Sequence, residues 1–73
     1  MWADQKLEDA MRVLTGASGV QKVSTDTSTY VVANEIPYTD ELYLDALEEL
    51  LRNGSLMLKE TIGEREFYQG VAH

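Results

Sequence analysis

The chain has no cysteine and a single proline among its 73 residues. Without thiols there is no disulfide framework, no zinc–thiolate centre and no cysteine nucleophile. Histidine is nearly absent as well. The only one, His73, is the last residue, where an imidazole is hard to orient or desolvate. Basic residues are scarce, with 6 Lys and Arg against 13 Asp and Glu, and the resulting charge of -7 opposes a protein that grips nucleic acid through a basic face. No apolar run is long enough to cross a membrane. The start, Met1-Trp2-Ala3-Asp4, lacks the basic stretch and apolar core of a secretion signal, so the expected location is the cytoplasm.

What is present fits one small folded domain over residues 1–73. A hydrophobic fraction of 44% is too high for a disordered acidic tail. The core must nevertheless be thin, because a chain of this length buries only roughly 60% of its unfolded surface.

Leu7, Ala10, Met11 and Leu14 recur at helical spacing and predict an amphipathic helix over about Ala3 to Leu14. Glu8 and Arg12 form an i, i+4 pair on its polar face, and Gly16 falls where a left-handed cap belongs. Val20–Val23 and Tyr30–Ala33 read as strands joined by the turn-forming run Ser24–Thr29. Pro37 bars Glu35–Tyr38 from a central strand. A second helix spans about Asp40 to Asn53, capped by Thr39 or Asp40 and stopped at Gly54. Tyr43, Ala46, Leu47, Leu50 and Leu51 form its apolar face. Ser55–Thr61 and Glu64–Gln69 make a second hairpin, with Gly63 free to take positive φ in the turn. A four-residue loop there sets Leu58 opposite Phe67 and Lys59 opposite Glu66, and a three-residue loop is the alternative. Residues 70–73 are expected to fray. The fold class is α+β: two amphipathic helices on a small, mostly antiparallel sheet of two hairpins, in the order αββαββ.

Little here points to catalysis, and no catalytic residue is assigned. The serines lack a positioned base and serve turns and caps. No phosphate-binding or dinucleotide loop is present, so neither a cofactor nor a small-molecule substrate is expected. Glu64 and Glu66, or Asp45, Glu48 and Glu49, are the carboxylate groupings that a metal would need. Neither matches a calcium loop, so no metal site is assigned. Asn53-Gly54-Ser55 has the form of a glycosylation sequon but reads as a helix end.

Charge is distributed unevenly. No Lys or Arg lies between Lys22 and Arg52, an interval that holds Asp26, Glu35, Asp40, Glu41, Asp45, Glu48 and Glu49. The rest of the chain sums to zero, so the whole net charge lies in the middle. Glu41, Asp45, Glu48 and Arg52 line one stripe of the second helix, and such a stripe steers a basic partner. Tyr38 and Tyr43 flank its start, either as interface anchors or as core residues. Trp2 has the same two readings, with core or edge of core favoured. The expected partner surface is therefore Tyr38, Glu41, Tyr43, Asp45, Glu48 and Glu49, facing a basic patch on a larger protein or complex.

Two resemblances bear on this surface. Leu47–Gly54, followed by Ser55–Lys59 and a returning strand, resembles the last helix and wing of winged-helix domains. It departs from them in having two helices rather than three and in the acidic face of the would-be reading helix, which repels phosphate. The resemblance implies a nucleic-acid-binding regulator with Lys22, Lys59 and Arg65 near phosphates. In size, acidity, lack of cysteine and lack of an active site, the whole chain is similar to small phage-encoded inhibitors of host RNA polymerase and to antitermination proteins. That similarity implies binding to bacterial RNA polymerase, interference with sigma-factor-dependent initiation and suppression of termination, while the net charge of -7 by itself argues against direct DNA binding. A related possibility is a DNA mimic, with carboxylates occupying a DNA-binding channel.

Overall fold

The computed structural model describes residues 2–71, with the side chains described from Gln5 onward. The expectations for Met1, the Trp2 side chain and His73 therefore fall outside what is described. The elements are α1 (Trp2–Thr15), β1 (Val20–Ser24), β2 (Thr29–Ala33), β3 (Ile36–Tyr38), α2 (Glu41–Arg52), β4 (Leu56–Ile62) and β5 (Arg65–Gly70). The class is α+β, as the residue pattern implies. All five strands join one antiparallel sheet in the order β3-β2-β1-β5-β4.

The two expected hairpins are both present, and the structure adds β3. Pro37 permits this strand because β3 lies at the sheet edge and pairs only with β2. A two-residue turn of Asn34 (φ 52°) and Glu35 (φ 65°) leads into it. Both residues are left-handed, as a type I′ turn requires. Asn34 Oδ1 also accepts from the backbone N–H (2.9 Å) and hydroxyl (3.0 Å) of Ser18, tying this turn to the α1–β1 loop.

Other local expectations are corrected. Gly16 does not take the left-handed conformation, which among the glycines belongs to Gly54 and Gly63. The expected Glu8–Arg12 pair, by contrast, is present at 3.9 Å, and Arg12 also bonds Asp9 at 2.8 Å. The β4–β5 turn has two residues, with Gly63 at φ 59°. A bulge between Leu58 and Glu60 then shifts the register, so Leu58 lies opposite Tyr68 and Thr61 opposite Glu66. Gly70 is paired with Leu56, and the Val71 N–H donates to Ser55 O at 3.0 Å, so the chain is ordered up to that point.

Both helices contribute to a core on one side of the sheet. Ala10 and Leu14 from α1 meet Ala46, Leu47 and Leu50 from α2 over Val20, Val31, Ala33, Leu56 and Tyr68. α2 packs directly on β2 and β4, which fixes the direction of its outer face. No helix is long and apolar enough to cross a membrane among the described residues.

Candidate functional site

α2 starts where its sequence places the cap. Asp40 is extended (φ -69°, ψ 132°), and its carboxylate accepts the Leu42 N–H at 2.9 Å. Of the two capping candidates it is Asp40 that serves, and Glu41 follows in the favourable first turn. The helix ends at Asn53, whose Oδ1 accepts the Ser55 N–H at 2.9 Å, and Gly54 turns the chain at φ 81°. The sequon-like triplet is thus a helix terminus.

Ala46, Leu47 and Leu50 are buried, so the opposite stripe must face solvent. Glu41, Asp45 and Glu48 are all exposed. At 1.5 Å per residue they span about 10 Å along the axis. Arg52, the cation on this stripe, is held by Glu49 at 2.7 Å. Glu49 is half-buried, so of the six expected site residues it is the acidic one already engaged within the chain. The spacings Glu41–Asp45 and Asp45–Glu48 place like charges one turn apart, each costing the helix about 0.2–0.5 kcal/mol.

Tyr38 and Tyr43 come together. Their ring centroids are 4.4 Å apart with planes tilted by 31°, and both rings are half-buried against the core. The pair clamps the first turn of α2 onto edge strand β3 and so sets where the stripe begins. Such a contact contributes about 0.5–1.5 kcal/mol beyond its buried area.

Sequence reasoning missed a cluster next to the stripe. A cleft of about 280 Å³ opens between α2 and the sheet, bordered by Lys22, Leu44, Glu48, Leu51 and Tyr68. At its floor the Tyr68 hydroxyl donates to Glu66 Oε1 at 3.1 Å, and Lys22 Nζ lies 4.0 Å from the same oxygen. Burial first, then the hydrogen bond and charge of Glu66, push the Tyr68 hydroxyl up to a pKa of about 12. The phenol, protonated at neutral pH with or without this shift, donates to Glu66. The signal was faint, because Lys22 and Glu66 become neighbours only through β1–β5 pairing.

A pH prediction follows from Tyr68. An unfolded tyrosine titrates near 10 and the folded one near 12, so the stabilisation is complete below pH 10. It is lost as pH rises from 10 through about 12. Urea melts of the wild-type chain and of Tyr68→Phe across this range should show the extra alkaline destabilisation in the wild type alone.

Glu66 is engaged by Tyr68 and Lys22, and Glu64 stands in the turn. No group of three or more potential metal ligands gathers among the described residues. The β4–β5 hairpin is hydrogen-bonded to β1 as part of the sheet, not extended as a free wing. The site is thus an exposed acidic helix face beside a small amphipathic cleft, and no family model, curated protein or solved structure matches the chain.

Proposed function

We propose that this chain is a non-catalytic interaction module that works in the cytoplasm by presenting the α2 stripe to a basic surface on a larger protein or complex. The observation that carries the reading is the exposure of Glu41, Asp45 and Glu48 on one helix stripe whose own cation, Arg52, is paired with Glu49. The helix gives up stability to keep these like charges adjacent. Local rules are broken in this way where a surface is needed for something other than folding. The neighbouring cleft gives a partner's side chain an apolar wall of Leu44 and Leu51 with Glu48 at its rim.

The similarity to phage-encoded regulators makes bacterial RNA polymerase the first partner to test, with inhibited initiation or suppressed termination as the outcome. A DNA mimic is the same reading with the basic surface placed in a DNA-binding channel. Direct nucleic-acid binding by α2 is disfavoured by the same carboxylates. The experiment is capture from bacterial lysate on the immobilised chain at physiological salt. Retention of RNA polymerase or another large protein with a basic surface supports the reading. Recovery of nucleic acid alone supports the winged-helix-like alternative.

A further inference from the structure

A two-layer α+β domain needs one apolar sheet face, and this one has two. In an antiparallel sheet covered on one side, outward positions are normally polar. Here the register places Val23, Tyr30, Val32 and Phe67 on the face away from the helices, joined from edge strand β4 by Met57 and Ile62. Val23 is only 3% exposed yet stands apart from the helix-packed core. Met57 and Ile62 are 49% and 58% exposed.

We infer that this outer sheet face is the interface of a homodimer, in which two sheets pack back to back and the helices lie outside. Three observations select a second copy as the occupant. The first is charge. The helices and the Asp40 cap carry eight carboxylates against three cations, whereas Lys59, Glu60 and Arg65 are the charged residues on or beside the outer face. Adjacent charges of opposite sign can pair reciprocally across a two-fold axis. One donor of Arg65 is already satisfied by a 2.8 Å bond from Nη1 to Gln21 Oε1 on the same face. The acidic helix layers of such a dimer sit on opposite sides of two sheets about 10 Å apart, beyond the Debye length at physiological salt.

The second is area. Strands about 4.8 Å apart and about five residues long give a flat footprint of roughly 350 Å², and two corrugated faces of that size bury on the order of 1,000 Å². That is the lower bound for a specific interface and fits dissociation in the micromolar range. The third is need. A chain this short has a thin core, and without cysteine it gains no stability from disulfides, so burying a second apolar face by association adds what its own core supplies sparingly. The consequence for the proposed function is bivalency, because the dimer carries two outward acidic stripes.

The experiment is sedimentation velocity on the full chain over about two decades of concentration around the micromolar range, since dimer stability follows mass action. The expected mass rises from 8.2 kDa to twice that value. Ile62→Glu, at an exposed outward position, should weaken dimerisation at least ~10-fold, the cost of burying an unpaired charge. Leu58→Glu, on the helix side of the same strand, should leave it unchanged, as should charge reversal of the α2 stripe. Circular dichroism confirms the fold of each variant, and Met57→Glu replaces Ile62→Glu if the latter unfolds. A wild-type chain that stays at 8.2 kDa throughout overturns the inference, whether the face is then bare or covered by another molecule. So do assemblies larger than a dimer, or a dimer broken by Leu58→Glu and not by Ile62→Glu, which indicates pairing along the β4 edge.

Discussion

Leu50→Ala is expected to lower the unfolding free energy by about 2–5 kcal/mol. Leu50 is 2% exposed and lies in the cluster where α1, α2 and the sheet meet. Truncating it removes apolar burial and leaves a cavity that the sheet cannot close, because Val31 and Leu56 are fixed in paired strands. Leu47→Ala should behave alike, with a cost nearer the low end because Leu47 also borders the open cleft. A domain of this size has only a few kcal/mol to lose, so the expected melt is broad or lacks a cooperative transition at 37 °C. Urea titration followed by circular dichroism checks this. A midpoint unchanged within error would mean that the apolar face of α2 is not what holds the layers together.

The second large effect concerns association. Replacing Glu41, Asp45 and Glu48 together with Lys should leave the fold intact, because all three are exposed and exposed charges contribute about 0–1 kcal/mol each. It should nevertheless lower the association rate with the captured partner at least ~10-fold at low salt, since steering by complementary charge raises on-rates by 10–1,000-fold. The dissociation rate should change less if these residues sit at the rim of the contact. A larger change in the off-rate than in the on-rate would instead place them at its desolvated centre. Single reversals should each give a fraction of the effect, because the potential is a sum over the stripe.

The acidic stripe was legible because it depends on one period only. Residues at i, i+4 and i+7 share a helix face wherever the helix packs, and Asp40 and Gly54 mark its ends by their own side-chain and backbone chemistry. The β1–β2 hairpin was legible for a similar reason, as Thr25 closes its loop through bonds to Ser28. What escaped the sequence depends on contacts between distant residues. β3 has three residues and a proline, and a glutamate at positive φ gives no turn signal. The β4–β5 register turns on a bulge at Lys59 that no local preference marks. The Lys22–Glu66–Tyr68 cluster needs the β1–β5 pairing, which joins the two halves of the chain. The second apolar sheet face did leave a trace. Tyr30-Val31-Val32-Ala33 is apolar at every position, the pattern of a strand with both faces covered.

The claim that the α2 stripe is an electrostatic docking surface is tested most directly by the association rate measured against ionic strength, for the wild-type chain and the triple Lys variant in parallel. The wild-type rate should fall steeply from low salt to about 1 M, where the Debye length shrinks to about 3 Å, and should converge there on the variant's rate. Two coincident curves, or a wild-type rate indifferent to salt, would contradict the account and leave the stripe as a merely solvated surface.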